Sequence, residues 1–366
     1  MTTRPYVGIL LNKPVYSRLC RGKGTGHEKM SYYEEGAASV GLKACFLLLS
    51  SLTPGPSRTK IKALVNTNGR YVQTYIDMPE VIHNRAIHLD SKSARKLAAL
   101  ADSGVDIYNL NTRYDKLFLH NLLAQDPVIL PHLPVTLQAT YDGIRQMMGM
   151  YPSLILKPVN GSVGQGIMLL KQTGDGRWLW KHRSGRRQPW LHRYFLRRIP
   201  PLLLSKLRNR KYLVQQYLPL ARYDGSPFDI RVSVQRGESG EWQLTGMVGK
   251  AAKRGAFLTN VAQGGTVVSL EMFFLHHPLW DPVDLKHRIG ELSLHIARYM
   301  SSLLPGLADL GLDMGIMEDG HIIFIEANGR DQRYSFQEAG MMQEWKDTYL
   351  NPMAYASFLT KTNKSP

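Results

Sequence analysis

Two apolar runs, Leu310-Gly-Leu-Asp313-Met-Gly315-Ile316 and Ile322-Ile-Phe324-Ile-Glu326-Ala-Asn328, flank Glu318-Asp319-Gly320. Asp-Gly between apolar runs is the strongest short hairpin signal, because the favoured two-residue turn needs positive φ. The pattern therefore predicts two adjacent antiparallel strands. Alternation puts Asp313 and Gly315 on one face of the first strand, and Phe324, Glu326 and Asn328 on one face of the second. Two carboxylates and an amide amid Ile, Phe and Met are costly to bury without partners. A hard divalent cation such as Mg²⁺ would satisfy them with oxygen ligands and keep positions open for phosphate. A strand end whose acidic residues face water accounts for the same pattern, and this stretch alone does not separate the two.

At 366 residues, 43% of them hydrophobic, the chain can build two or three lobes with their own cores. Its apolar runs, such as 44–49 and 322–325, fall far short of a membrane span. The first residues lack the charged-then-apolar-then-small pattern of a secretory leader. Cys20 and Cys45 have no metal or redox spacing and fit a reduced, cytoplasmic setting. The formal charge is +17, from 46 Lys and Arg against 29 Asp and Glu. Between positions 177 and 211 there are 12 Lys or Arg and no Asp or Glu, so one segment holds most of the excess. Such a block attracts polyanions: a nucleotide, an acidic polymer, nucleic acid or an anionic membrane surface. A solvated insertion without a specific partner is the ordinary reading of a charge run.

The opening part alternates strands and helices: a buried strand at 6–11, a helix at 32–40, a strand at 43–50, and a strand at 81–85 ending in His83-Asn84-Arg85. This is an α/β lobe. The glycines of Arg21-Gly-Lys-Gly-Thr-Gly-His27 match no nucleotide fingerprint and read as a loop. Lys116 opens an apolar-periodic helix, as a phosphate contact or as an exposed helix lysine. A strand at 153–158 carries Lys157 and runs into Gly161-Ser162-Val-Gly164-Gln-Gly166 and a second strand. Glycines in such a loop let backbone N–H groups approach phosphate oxygens, which favours a nucleotide loop over a plain hairpin. The basic block follows, interleaved with Trp178, Trp180 and Trp190, a mixture that single-stranded nucleic-acid binders also use. At 228–234 alternation places Asp229, Arg231 and Ser233 on one face; a rigidly held arginine suits phosphate, and an Asp–Arg pair on a solvated face is the alternative. Lys250 follows, and Asn260 leads into Gly264-Gly265. Positions 284–304 form a long amphipathic helix, and the tail from 336 to 359 is helical, broken at Asn351-Pro352.

In this order, Lys116, Lys157-Pro, Gly161–Gly166, Gln215-Gln-Tyr-Leu218, Asp229-Ile-Arg231, Lys250, Asn260 with Gly264-Gly265, Asp313 and Glu326-Ala-Asn328 resemble the ATP-grasp superfamily. The closest likeness is to its YheC/YheD-like branch, described as spore-coat-associated. The resemblance covers about 116–336, and positions 79–85 look like that branch's N-terminal region. It implies an α/β N-terminal lobe (1–112) followed by an ATP-grasp fold, two α+β subdomains gripping ATP between them. These would be a central lid subdomain at 113–218, with a basic insertion at 171–211, and a C-terminal subdomain at 219–362 carrying the metal site. By resemblance, Lys116 and Lys157 contact phosphates, and Gly161, Ser162, Gly164 and Gly166 form a lid. Gln215, Gln216, Tyr217 and Leu218 line the adenine pocket, with Asp229 also at ATP. Asp313, Glu326 and Asn328 hold Mg²⁺, or Mn²⁺ in its place. Arg231, Lys250 and Asn260 face the γ-phosphate and the acyl substrate.

The implied activity is a ligase that forms an acyl phosphate on a carboxylate for attack by an amine or thiol, in the cytoplasm with a link to the spore coat. Its substrate would be an unknown carboxylate, an acidic peptide or polymer gathered by the insertion; spore-coat proteins are further partners. A catalytically weak ATP-binding coat or assembly protein is the alternative, and a nucleic-acid or polyanion binder is the second. Many ligases of this superfamily carry a proline shortly after the metal Asn. Here the run is Gly329-Arg330-Asp331-Gln332-Arg333, a departure on the acceptor side.

Overall fold

The computed structural model describes residues 4–55, 59–88, 90–161, 164–183, 185, 188–256, 259 and 264–362. Their strands fall into three sheets that follow one another along the chain. The first contains β1 (Tyr6–Leu10), β2 (Lys43–Leu47), β3 (Lys60–Thr67), β4 (Arg70–Asp77), β5 (Val81–Asn84) and β6 (Asp106–Tyr108), in the order β4-β3-β2-β1-β5-β6. β2, β1, β5 and β6 run parallel, and β3 and β4 add an antiparallel edge. A parallel sheet is buried on both faces. Accordingly Val7 and Ile9 of β1 join one core cluster and Leu10 another. Gly8 is tightly enclosed: a Cβ there would meet Leu47 at 2.6 Å.

The second sheet is antiparallel throughout: β7 (Thr136–Gln138), β8 (Ser153–Pro158), β9 (Met168–Gln172), β10 (Trp178–His182), β11 (Leu191–Phe195) and β12 (Tyr212–Gln216), in the order β11-β10-β9-β8-β12-β7. The third contains β13 (Arg222–Tyr223), β14 (Ser226–Arg236), β15 (Trp242–Ala251), β16 (Thr266–Val268), β17 (Asp309–Ile316) and β18 (Ile322–Asn328), in the order β16-β15-β14-β17-β18, with β13 paired to β14. The amphipathic helix Pro282–Leu303 covers this sheet through Leu285, Ile289, Leu292, Ile296 and Met300. It starts earlier than its periodicity indicates, because Asp281 caps the N–H groups of Val283 and Asp284 and Pro282 fits the first turn.

Three expectations need correction. The hairpin forms, but the register shifts between Asp313 and Met314. Glu326 stands opposite Asp313, Ile325 is the extra residue, and Phe324 stands opposite Met314 in the apolar core. The alternation that put Phe324 on the face of Glu326 fails at this bulge. Second, the alternative of an Asp–Arg pair on a solvated face falls: β14 is central, and the side chains of Asp229, Arg231 and Ser233 are all buried. Third, the C-terminal helix Met342–Thr362 runs straight through Pro352. Proline removes the N–H that would bond to residue 348. The Gln235 Nε2 donates to Thr348 O instead, at 2.9 Å, and restores the lost partner. That helix buries Trp345, Tyr349, Met353 and Ala356 against the first sheet's lobe, about 1.5–3 kcal/mol for each large side chain.

Candidate functional site

The chain passes from the second sheet to the third at positions 217–221: Tyr217 N donates to Ser153 O at 3.0 Å on one side, and Ala221 N to Ile316 O at 2.8 Å on the other. This crossing forms the back of a cleft between the two sheets. The cleft is lined by Lys116, Lys157, Gly161, Gly164, Gln215, Gln216, Tyr217, Leu218, Asp229, Lys250, Asp313 and Glu326, all singled out in the sequence. Pro134, Ile155, Ile167, Leu220 and Thr259 are among its further lining residues; sequence reading passed over these, the apolar ones because they look like ordinary strand residues. Ser162 and Asn260 lie outside the described residues.

Lys116 is set by the start of the helix Lys116–Leu123. The Asp115 carboxylate accepts from Leu117 N and Phe118 N at 2.9 and 3.0 Å, and Lys116 N donates to Val159 O at the end of β8. Its Nζ is ion-paired with Glu326. Lys157 projects from β8 and donates to Gln215 Oε1 at 2.8 Å, while Gln215 Nε2 donates to Thr136 Oγ1 at 2.8 Å. Burial, with Lys116 adding repulsion, pulls the Lys157 ammonium down to about 8. Gly166 does not reach the cleft wall; it has φ +75° and sits against Pro158 and the Tyr212 hydroxyl. Arg210 donates to Asn160 O and tethers the entrance of the glycine loop.

On the third sheet, β14 and β17 pair Asp229 with Gly315, Arg231 with Asp313, Ser233 with Gly311 and Gln235 with Asp309. Their polar side chains thus form one row, and Gly311 makes room for it. A Cβ on Gly311 would run into Asp331 and Arg231. Lys250, from β15, bridges Asp229 Oδ1 at 2.8 Å and Asp313 Oδ1 at 2.6 Å. Burial and the neighbouring Asp313 push the Asp229 carboxyl up to about 6 against the pull of Lys250, and Thr259 donates to its second oxygen. Glu326 goes the other way: burial opposes ionisation, but Lys116 and Lys157 overcome it and hold the carboxyl well below the usual range.

Arg231 lies behind Asp313, off the cleft wall. Its Nε and Nη2 clamp Asp313 at 2.9 and 3.1 Å, and its Nη1 reaches Asp331 Oδ1 at 3.0 Å. Asn328 is likewise off the cleft wall, with Nδ2 3.5 Å from Glu326 Oε1. Asp313, Glu326 and Asn328 make a set of two carboxylates and one amide. No group of three or more Asp, Glu, His or Cys side chains poised to hold a metal occurs among the described residues. The oxygen donors nevertheless fit a hard cation that completes its shell with water and phosphate oxygens.

Asp331 leads into a second cluster that sequence reading missed. Arg85 donates to Glu28 Oε1 (2.9 Å), Asp309 Oδ2 (3.2 Å) and Asp331 O (2.9 Å). Arg333 donates to Asp309 Oδ2 (2.7 Å) and to the Tyr33 hydroxyl (2.8 Å), its guanidinium 4.4 Å from the Tyr349 ring centre. His83 Nε2 lies 3.3 Å from Asp309 Oδ2. The available signal was four polar or charged residues, Arg330 to Arg333, directly after Asn328-Gly329, with a second polar tip at His83-Asn84-Arg85. No spacing rule joins two segments so far apart. Cys20 and Cys45 are free thiols, the first exposed and the second buried. No helix among the described residues is long and apolar enough to cross a membrane.

This architecture matches known proteins. Among solved structures, the ATP-grasp ligase PsnB complexed with minimal precursor, Mg and ADP is similar over 97% of this chain and 99% of its own, with a TM-score of 0.55 and 13% identity. D-alanyl-alanine synthetase A from Vibrio cholerae O1 is similar over 99% of each chain, with a TM-score of 0.55 and 11% identity. In sequence, the endospore coat-associated protein YheD of Bacillus subtilis (strain 168) is 25% identical over 308 residues, 82% of this chain and 67% of its own length. YheC, the endospore coat-associated protein of the same organism, is 24% identical over 333 residues, 88% of this chain and 90% of its own length. The model of the YheC/D-like ATP-grasp family matches residues 105–359. A match across that much of the chain, on a fold shared with ATP-grasp ligases and with the ordered motifs gathered in one cleft, makes this protein a member of the YheC/D-like ATP-grasp family.

Proposed function

We propose that the protein is an ATP- and Mg²⁺-dependent ligase that activates a carboxylate as an acyl phosphate for attack by an amine or thiol. The observation that carries this reading is the convergence of Lys116, Lys157 and Lys250 with Asp229, Asp313 and Glu326 in one cleft. In the reaction, a substrate carboxylate oxygen attacks the γ-phosphorus, the bond to the β–γ bridging oxygen breaks and ADP leaves. The amine nitrogen or thiol sulfur then attacks the acyl carbon, phosphate leaves, and the nucleophile's proton passes to solvent. Both steps need charge neutralisation and positioning more than a protein nucleophile.

Lys116 and Lys157 would neutralise phosphate oxygens, and the backbone around Gly161 and Gly164 would close on them. The adenine would lie against Ile155 and Leu220, beside the backbone of 216–218. Asp313, Glu326 and Asn328 would hold Mg²⁺, which when bound offsets charge developing on the transferred phosphoryl group. Arg231 fixes the carboxylate of Asp313 from behind, and Lys250 shares it from the side. The known ligases of this fold support the reading, PsnB having been solved with Mg and ADP.

One observation favours a second reading. Asp313 already receives Arg231 and Lys250, and Glu326 receives Lys116, so both carboxylates are countered by the protein itself. That suits a nucleotide-binding protein with little turnover, serving assembly beside the spore coat, in keeping with the names of its relatives. Either form would act in the cytoplasm, where ATP is supplied.

Thermal shift with ATP and Mg²⁺ on wild type, Lys157→Ala and Glu326→Ala tests the cleft, and ADP release with a panel of amino acids and acidic peptides tests the ligase. Ligand at a hundred times its Kd stabilises the native state by about 2.7 kcal/mol. A shift lost in both variants, with carboxylate-dependent ADP release, supports the ligase. A shift without ADP release puts the assembly protein ahead, and no shift in wild type overturns both.

A further inference from the structure

We propose that the outer edge of β11 docks an extended acidic polypeptide by strand addition. β11 ends its sheet: β10 pairs along one side, and no described strand pairs along the other. The register with β10 is continuous from Leu191 to Phe195, with no bulge and no proline to interrupt the edge. Residues 191–194 are all exposed. Proteins usually protect such edges with charge, proline or bulges. Charge is present here in Arg193, Arg197 and Arg198, all exposed, and none has a carboxylate at ion-pair distance among the described residues. Protection alone does not account for the same strip leaving Leu191 at 43%, Tyr194 at 55% and Leu196 at 65% exposure. Apolar side chains beside cations on an open strand edge match a partner that supplies backbone hydrogen bonds, carboxylates and some apolar side chains.

The choice of polypeptide over nucleic acid rests on the aromatic groups. Arg177 lies 4.9 Å from the ring centre of Tyr194, and Arg183 and Lys181 lie 4.6 and 5.6 Å from that of Trp190. Trp190 thus carries two of the protein's own cations and Tyr194 one, which reduces the ring surface left for bases to stack on. The unpaired edge offers N–H and C=O groups at the repeat of a peptide strand, which a sugar–phosphate backbone does not match.

The proposal concerns binding and stands whether or not the cleft turns over ATP. Where it rests on the ligase reading, it also sets a distance. An added strand lies four strand spacings from β8, about 19 Å, so a chain leaving it needs roughly six extended residues to bring a carboxylate to Lys157.

The test uses nucleotide-free full-length protein at low salt. The probes are a fluorescent Glu-rich peptide of about twelve residues containing Leu and Ile, its Gln counterpart, and an oligouridylate of similar length. The acidic peptide should bind best and should slow exchange of alternate amides within 191–195. Arg193→Glu with Arg197→Glu and Arg198→Glu should weaken it about tenfold or more, and the corresponding Gln variants by less. Thermal melting identifies any variant that fails to fold, in which case the Gln set decides. Binding of the Gln peptide as tight as the acidic one, tighter binding of oligouridylate, or binding that leaves the β11 amides unprotected would overturn the proposal.

Discussion

Two clusters of buried charge lie along one face of β14 and β17, joined at Asp331, and they are built from different cations. At the junction with the first sheet, Arg85 and Arg333 hold Glu28 and Asp309, with Tyr33 and Gln235 filling remaining bonds, and every one of these carboxylates and guanidinium groups is shut away from solvent. In the cleft, the cations on the wall are lysines, and Lys116 and Glu326 keep 23% and 32% of their side-chain surface exposed. Arginine binds a carboxylate through a fixed fork and holds its charge under burial; lysine is a mobile point charge whose pKa moves readily. The junction therefore reads as structure, and the cleft as a place where partners can be exchanged for phosphate and metal. Arg231 marks the boundary: its fork holds Asp313 on the cleft side and Asp331 on the junction side.

The comparison breaks most easily on stability. Removing one partner from a buried ion pair costs about 3–5 kcal/mol, because the other charge stays buried. Arg85→Ala leaves Glu28 and Asp309 short of a counter-charge and should lose that much in urea unfolding. Lys116→Ala, in the partly exposed cleft pair, should lose about 1 kcal/mol or less. Equal losses would show that the two clusters share one role.

Acid should also act on the junction first. His83 is wholly buried, and burial pulls its imidazole down to about 4 despite Asp309. Between pH 6.5 and 4 the unfolded chain takes up a proton that the folded one does not, so stability falls with pH across that window, by up to about 3 kcal/mol. Below the usual carboxylate range Asp309 and Glu28 add a further loss, since their folded carboxyls are held lower still by Arg333 and Arg85 against the effect of burial. Melting temperatures of wild type and His83→Gln between pH 4 and 7 check this. The variant should lose the slope above pH 4; an unchanged slope would put the acid sensitivity elsewhere.

A smaller effect tests how the C-terminal helix is tied to the same cluster. Gln235 Nε2 donates to both Thr348 O and Asp309 Oδ1 at 2.9 Å. Gln235→Leu leaves two buried acceptors short and should cost about 1–3 kcal/mol. Hydrogen exchange in the helix Met342–Thr362 should rise around Pro352. No change there would mean that Pro352 is tolerated for another reason.

These residues also show what a sequence can disclose. The acidic strands of the cleft were legible because their period is local: alternation placed Asp229 with Arg231, and the Asp-Gly turn placed Asp313 beside Glu326, while the gathering of Lys116, Lys157 and the glycine loop around them was implied by the family resemblance alone. The N-terminal α/β lobe was legible through strand–helix alternation, and the ATP-grasp fold through the order of the motifs, by resemblance to the family. Three things were not. A bulge carries no reliable local signature, so Phe324 was put on the wrong face. Burial of the β14 polar row depends on which strands flank it, and alternation reads the same with water on that face. The continuous helix through Pro352 depends on a side chain more than a hundred residues away in sequence. The junction cluster is of this third kind, being assembled from segments near 28, 85, 309 and 331 that carry no common motif.

The most delicate consequence belongs to the cleft and follows from its lysines. Lys157, drawn down to about 8 by burial and by Lys116, is only partly charged just above neutral pH. A triphosphate beside it would favour the ammonium and raise that value. Nucleotide binding should then take up a fraction of a proton near pH 8, and affinity should fall as pH rises from 8 to 9, by up to about tenfold. Titration calorimetry in two buffers of different ionisation enthalpy measures the proton directly. Lys157→Arg keeps a charge that does not titrate in this range, so it should bind with little pH dependence. A wild-type affinity that stays level across pH 8 to 9, with no proton taken up, would mean that Lys157 does not meet the phosphates, and the contrast between a fixed junction and an exchangeable cleft would lose its chemical basis.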